Sequence, residues 1–492
     1  MTPARADEAA RARSGSWIGW VFSFPAFLAM GLATVAVVTV STHFNDPDLW
    51  WHLRMGQIIW NTHTIPVTDV FSFTAQGHAW TPHEWLAQLS IYAAWHWGGY
   101  TGLMVWLSVL ASLLFIGVFV LCRFFCESSL VCFMGALVAW FFATVGLAIR
   151  PLMIGHVFLV LEMVLLEAAY RHSRRWLWLL PPLFALWVNC HGSYFFGAGV
   201  LAAYCIGAYA SGVWGLLVSK GWDRQARRAL VAASVACIAA LCCNPVGARM
   251  LIYPLNTLFG QATGMNAVQE WMAPDLREGR TLGMLAVSAA ILLIPLLRRS
   301  ELWVRELLLL AAAFFLASQH LRMIFIFGII AAPILARLID PLFGKDQMRA
   351  HPIFNAILML GCGAAMAAAF PSTSAIEQQA REKSPVAAVD YIKRAGLTGP
   401  MLNDYVFGGY LIWALPQEKV FIDGRGDVYD WTGVFQEYGR WATLSEDPAR
   451  LLDKYKIRFC IFAADHPMVR MIEHLAGWRR VYADKVAIVL AR

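Results

Sequence analysis

The stretch His43-Phe-Asn-Asp-Pro-Asp-Leu-Trp-Trp-His-Leu-Arg54 decides how the rest of the chain is read. It follows an apolar run centred near residue 30, and a bilayer-spanning helix needs about 20 such residues. Two carboxylates, Asp46 and Asp48, stand just beyond that run, where charge is costly unless it is hydrated or used. A carboxylate there can take a proton from a hydroxyl, or hold a divalent cation such as Mg2+ or Mn2+ through oxygen ligands. The plainer reading is a turn with helix capping, because Asp ahead of a helix satisfies free N–H groups. Trp50, Trp51 and His52 directly after the pair favour function over capping.

Working outward, residues 41–100 read as a long outer loop crowded with tryptophan: Trp50, Trp51, Trp60, Trp80, Trp85, Trp95 and Trp97. Trp favours the membrane–water boundary, because its ring is apolar and its N–H needs a wet partner. The loop is expected to hold interfacial helices with Leu49, Leu53, Ile58 and Ile59 on an apolar face. The chain around it is 59% hydrophobic and 14% charged, against about 25% charged in soluble domains. Mean hydropathy is +0.56. Soluble classes are excluded, and apolar runs centred near residues 30, 110, 138, 161, 183, 206, 237, 290, 312, 330 and 361 are the candidate spans. The net charge of +7 points to no nucleic acid, because its distribution is one-sided. With a cytoplasmic N-terminus, the inner loops hold Arg5, Arg11, Arg13, Arg123, Arg171, Arg174, Arg175, Lys220, Arg224, Arg227, Arg228, Arg298, Arg299, Arg305, Arg337, Lys345 and Arg349. The outer loops hold only Arg54, Arg150, Arg249, Arg277, Arg280 and Arg322. This bias sets the orientation, and an odd number of spans places the tail outside. The first run is read as a retained helix, since no small-residue cleavage site follows it. The ten cysteines show no paired spacing for disulfides or zinc.

From Ser384 onward charged residues return to soluble density, so the chain divides into a transmembrane part, 1–370, and an extracytoplasmic α/β part, 371–492. In the tail, Pro385–Ala395, Gly433–Thr443 and Pro448–Tyr455 read as helices. Met401–Asn403, Lys419–Asp423 and Arg458–Phe462 read as strands, and Trp478–Leu490 as a strand pair turning at Asp484-Lys485. Gly408 and Gly409 suggest a tight turn or a close backbone approach.

This layout resembles the GT-C class of membrane glycosyltransferases, which take a sugar from a polyprenyl-phosphate carrier outside the cytoplasm. Oligosaccharyltransferase catalytic subunits, protein O-mannosyltransferases and lipid A aminoarabinose transferases belong to that class. Its mark is an acidic residue or pair in the first outer loop, straight after helix one, and Asp46 and Asp48 fit it. Asn403-Asp-Tyr-Val-Phe-Gly-Gly-Tyr-Leu-Ile-Trp413 is similar in order and place to the Trp-Trp-Asp-Tyr-Gly segment of oligosaccharyltransferases. The paired tryptophans are replaced here by Leu402 and Asn403, so recognition of a peptide sequon is not carried over.

The resemblance implies an α-helical polytopic protein of a bacterial inner membrane. Its activity would be an inverting hexosyl- or pentosyltransferase, with a polyprenyl-phosphate sugar as donor and a glycan, lipid or protein as acceptor. Asp48, or Asp46, would be the base. Arg150 and Arg322 would bind the lipid phosphate, since Arg presents a planar fork to phosphate; snorkelling to headgroups is the alternative. His191 would join them or make a local hydrogen bond. His52 stands beside the acidic pair. His83-Glu84 reads as a second acid–base or metal pair, or as a helix N-terminus after Pro82. Glu270-Trp271 suits a sugar, the ring packing on it and the carboxylate taking its hydroxyls. Asp423-Gly-Arg-Gly-Asp427 is a strand-to-loop turn whose Asp423 and Arg425 face either cleft or solvent. Two rivals are a carrier or flippase for a lipid-linked sugar, needing ionisable groups at mid-membrane such as Glu162 or Glu167, and a non-catalytic scaffold.

Overall fold

The computed structural model describes residues 17–44, 46–144, 146–254, 256, 269–344, 351–445 and 447–492. Arg5, Arg11, Arg13, Lys345 and Arg349 of the charge bias lie outside the described residues. Each apolar centre falls inside a helix: Phe24–Val40, Trp85–Arg123, Ser129–Ala143, Leu152–Arg171, Leu180–Cys190, Tyr194–Tyr209, Arg224–Ala240, Gly279–Arg298, Val304–Gln319, Ile324–Ile339 and Pro352–Ala369. Among the described residues, five helical stretches are long and apolar enough to cross a bilayer: Trp85–Arg123, Leu152–Arg171, Gly279–Arg298, Leu321–Leu342 and Pro352–Ala369. The chain is a multi-pass helical membrane protein. Leu321–Leu342 is mostly buried among its neighbours, whereas Pro352–Ala369 is half-buried to exposed along its length, with Asn355 buried.

Residues 41–100, the first long loop, contribute helix Leu49–Thr62, and a second helix begins at Trp85 and breaks at Gly99 (φ 53°, ψ −137°). Only glycine takes that conformation without strain, so the chain turns there before Thr101–Arg123 enters the bundle. Leu49, Leu53 and Ile59 are buried as an apolar face requires. The tryptophans do not all serve the membrane boundary. Trp97 is exposed, but Trp50, Trp51 and Trp80 are buried. The Trp50 ring packs edge-on to Tyr410 of the tail (5.1 Å), and Trp51 packs edge-on to Trp80 (6.2 Å). Apolar ring area that would have faced lipid is used instead to join loop and tail.

Residues 401–491 form a four-stranded sheet in the order Met401–Asn403, Phe459–Ala463, Ala487–Ala491, Arg479–Ala483. The first pair is parallel (Leu402 opposite Cys460) and the others antiparallel (Ile461 opposite Val489). Lys419–Asp423 differs from expectation and is not a strand of this sheet. Its Val420 pairs with Ser72 of the first long loop in an isolated bridge, and Phe421 N–H donates to the Asn403 side chain (2.8 Å). Side chain and loop thus satisfy the polar backbone of a fully buried apolar run, which must be paired somewhere. Met55, Ile59, Phe71 and Trp80 of the loop share one core with Ile412, Phe421, Ile461 and Val489 of the tail.

Of the acidic residues inside spans, Glu167 is paired with Arg305 (2.8 Å) and Arg171 (3.2 Å) and accepts the Tyr204 hydroxyl (2.7 Å). Glu162 is fully buried and neither carboxyl oxygen is hydrogen-bonded among the described residues.

Candidate functional site

Asp48 occupies the N-cap of helix Leu49–Thr62 yet makes no side-chain capping bond. Its Oδ1 accepts instead from Trp51 Nε1 (3.2 Å), and its Oδ2 lies 3.3 Å from the Arg150 guanidinium. Asp46 Oδ1 accepts the Asp48 backbone N–H (2.8 Å), while Oδ2 takes Arg150 Nε in a short ion pair. The turn of the plainer reading is thus present, but Asp48 does not cap the helix. Arg150 also donates to both oxygens of Glu270 (3.0 Å each), so one guanidinium serves three carboxylates. It does not snorkel. Burial alone would lower its pKa, but the three carboxylates hold it well above the usual value. Burial raises Asp48 to about 7, against the pull of Arg150 and with the help of Asp46.

The same geometry bears on a metal. Arg150 already engages the outer oxygen of both aspartates, and among the described residues no three Asp, Glu, His or Cys side chains converge as a metal site. The pair as arranged fits an arginine, not a divalent cation.

A second cluster surrounds Glu84, which likewise stands at a helix N-cap without capping it. Its carboxylate lies 3.4 Å from His191 Nε2, 3.7 Å from His83 Nε2 and 3.9 Å from His52 Nδ1. Hydrogen bonds assign the protons. Ser193 N–H donates to His191 Nδ1 (3.0 Å), so the proton of the neutral ring is on Nε2, facing Glu84. His83 Nδ1 meets the Thr81 carbonyl (3.1 Å), which only accepts, so Nδ1 carries a proton and Nε2 faces Glu84. Burial holds His52 and His191 well below the usual imidazole range and pushes Glu84 up. The expected local bond of His191 and its place in the site therefore coexist.

Both clusters open onto one cavity of about 310 Å3. Asp48, His52, His83, Glu84, Arg150, His191 and Arg322 line its polar part, and Leu152, Phe195, Phe196, Leu316 and Ile326 its apolar part. The Arg322 guanidinium lies over the Trp271 ring (4.6 Å) and has no hydrogen-bond or ion-pair partner among the described residues. Trp271 is fixed beneath it, because His320 Nδ1 bonds the Trp271 carbonyl (2.7 Å) and Leu321 N–H the Met272 carbonyl (2.9 Å). Glu270 and Trp271 thus support the two arginines, Glu270 by pairing with Arg150 and Trp271 as the platform beneath Arg322, and Trp271 also lines the cavity. A second cavity, about 260 Å3, lies on the Asp46 side, lined by Phe44, Asp46, Pro47, Trp50 and Lys383 among others.

Asp423 and Arg425, expected to face either cleft or solvent, are buried on the cleft side. The Asp423 carboxylate is fully buried and accepts from Arg425 Nε (2.8 Å) and the Tyr429 hydroxyl (2.5 Å). Arg425 also pairs with Asp69 of the first long loop (2.6 Å) between the Phe71 and Trp80 rings. They form a clasp between tail and loop, and Arg425 also lines the cavity. Gly408 and Gly409 are close approaches in helix Gly408–Ala414, not a tight turn: a side chain there would strike Ile422 and Pro47 respectively. Sequence reading did not single out His156, Tyr253 and His320, which also line the cavity, as does Asp427 at the end of the Asp423 turn. His156 carried a signal, an ionisable residue inside an apolar run.

Neither a protein-family model nor a curated protein matches the chain by sequence. Solved structures do match by fold. An oligosaccharyltransferase from Archaeoglobus fulgidus, tethered with an acceptor peptide, aligns over 89% of this chain and 69% of its own, at 11% identity and TM-score 0.56. AglB from the same organism, in complex with an inhibitory peptide and a dolichol-phosphate, aligns over 92% and 70%, at 12% identity and TM-score 0.54. ArnT from Cupriavidus metallidurans, bound to undecaprenyl phosphate, aligns over 97% and 98%, at 12% identity and TM-score 0.52. The chain has the GT-C-like fold of these glycosyltransferases.

Proposed function

We propose that the chain is a membrane glycosyltransferase that moves a hexose or pentose from a polyprenyl-phosphate carrier to an extracytoplasmic acceptor. One observation carries this reading. A single cavity joins an arginine that is unpaired among the described residues and seated on an aromatic platform, a carboxylate with a pKa of about 7 and an apolar wall. Those are the parts needed for a lipid-linked phosphate and the sugar on it. The binding of such carriers by AglB and ArnT supports the same ligand class.

Arg322 takes the phosphate, where a charge-assisted bond offsets the charge that develops as the sugar–oxygen bond breaks. Phe195, Phe196, Leu316 and Ile326 receive the first units of the lipid. Asp48 accepts the proton of the acceptor hydroxyl as that oxygen bonds the anomeric carbon. This is a single displacement with inversion. The acceptor reaches the pair from the second cavity, on the Asp46 side. Arg150 holds both aspartates and Glu270 in place. The Glu84 and histidine cluster faces the sugar and reads its hydroxyls. Residues 371–492 form an extracytoplasmic α/β part whose clasp closes this cleft, with the N-terminus cytoplasmic in a bacterial inner membrane. A carrier mechanism would centre on Glu162, which does not line the cavity.

Purified protein in lipid, given a radiolabelled polyprenyl-phosphate sugar and an envelope extract as acceptor source, should transfer label. The Asp46→Asn/Asp48→Asn variant should not. Equal transfer by a folded double variant would end the enzyme reading.

A further inference from the structure

Two glycines of the tail flank the Asp46-Pro47-Asp48 turn. A side chain on Gly409 would strike the carbonyl oxygen of Pro47, and one on Gly424 would land on Asp48 Oδ1. The two collisions have different consequences. At Gly409 the obstacle is backbone, so relief requires the whole turn to move. At Gly424 the obstacle is the end of a short side chain, which can swing away at little cost to the fold. Neither glycine has the left-handed backbone that favours this residue, so what matters at 424 is the missing side chain.

The backbone at 424 has little room to retreat. Asp423 before it is locked by Arg425 and Tyr429, and Arg425 after it is locked by Asp69. On its other sides the Asp48 carboxylate meets Trp51 Nε1 and Arg150. Gly424, Trp51 and Arg150 thus bound the carboxylate from three directions and leave it open to the cavity, which Asp48 and Gly424 both line.

We propose that Gly424 is a positioning residue for Asp48, its bare Cα serving as the wall that keeps the carboxylate turned toward the donor cavity. The proposal rests on Asp48 being the base, and extends it by making a tail residue part of what orients that base. The same enclosure takes the carboxylate out of water, the largest cause of its raised pKa.

The test compares Gly424→Ala with Gly426→Ala, where an added side chain meets nothing within 4 Å. A misplacement of about 1 Å can cost about a hundredfold in rate. Gly424→Ala should therefore lose about that in turnover with little change in KM, and the acid limb of its pH profile should leave the parental value. Gly426→Ala should match the parent. Thermal unfolding supplies a second reading that needs no activity. Any loss of Tm in Gly424→Ala should vanish in an Asp48→Ala background, where no carboxylate is displaced. Parental turnover and pH limb in Gly424→Ala would overturn the proposal, and so would an equal loss of Tm in both backgrounds. If Gly424→Ala fails to fold, folding of Gly424→Ala/Asp48→Ala supports the contact and its failure overturns it. A parent that turns over no polyprenyl-phosphate sugar would defeat the proposed function, while the unfolding comparison would still decide the contact.

Discussion

Replacing Asp48 by asparagine keeps its size and its bond from Trp51 but removes the proton acceptor. General-base help is worth about 10²- to 10⁴-fold, so turnover should fall at least about a hundredfold. The pH dependence is the sharper signature. An ordinary carboxylate would be fully ionised from pH 5 upward, but this one is raised from 3.8 to about 7 by burial. With a pKa of about 7, roughly a tenth of it is ionised at pH 6 and roughly nine-tenths at pH 8. The parental rate should therefore rise about tenfold over that interval, and the residual rate of Asp48→Asn should not. Stability has the opposite sign. A carboxyl raised in the folded state contributes stability that is present at acid pH and lost as pH rises through about 7. The shift corresponds to about 4 kcal/mol at most, an upper bound because the side chain remains 24% exposed. Asp48→Asn should then be no less stable than the parent at pH 8, read as the urea midpoint. Stopped-assay rates from pH 5 to 9 on both proteins check this. A flat parental profile, or parental turnover in Asp48→Asn, would refute Asp48 as the base. A variant several kcal/mol less stable at pH 8 would make Asp48 a structural residue.

Arg322→Ala should weaken binding of the lipid donor about 10- to 100-fold, the value of one charge-assisted bond, with fluorescence titration as the check. Arg150→Ala should lower turnover more than binding, because it releases Asp46, Asp48 and Glu270 together. Arg425→Ala leaves Asp69 and Asp423 buried without a cation and should cost about 3–5 kcal/mol, measured as the midpoint of urea unfolding in detergent. Gly408→Val and Gly409→Val should make the tail of the full chain more protease-sensitive than Lys454→Ala, whose side chain is exposed; equal resistance would mean that the glycines are incidental. Reporter fusions at residue 492 and near Arg174 should read outside and inside respectively, and a cytoplasmic signal from the former would reverse the orientation.

The acidic pair was legible because two charges beside a spanning helix break a strong local pattern, and the helix centres because apolar length is itself local. What held the pair was not. Arg150 lies 104 residues from Asp46 and 120 from Glu270, and neither distance leaves a periodicity to read. The same applies to Asp423 and Arg425: glycines on both sides of Arg425 looked like a loop offered to a ligand, whereas Asp69, far away in sequence, makes the group a clasp. Lys419–Asp423 failed as a strand for a related reason. Strand propensity reports a fit to a half-buried pleated surface, and it cannot say which neighbour supplies the hydrogen bonds.

Asn403 joins these threads. Where the oligosaccharyltransferase segment has its paired tryptophans, this chain has Leu402 and Asn403, which on sequence alone is only a loss of aromatic surface. In the structure Asn403 is fully buried. Its Oδ1 accepts from Phe421 N–H (2.8 Å), and its Nδ2 donates to the Ile422 carbonyl (2.7 Å). A side-chain amide is thus bonded in the manner of a strand partner to the two residues that lead into Asp423 and Gly424. An indole has one donor and no acceptor, so it could not make both bonds. The departure from the aromatic motif therefore holds the segment that brings Gly424 against Asp48, and it ties the most local feature of the site to the least local one.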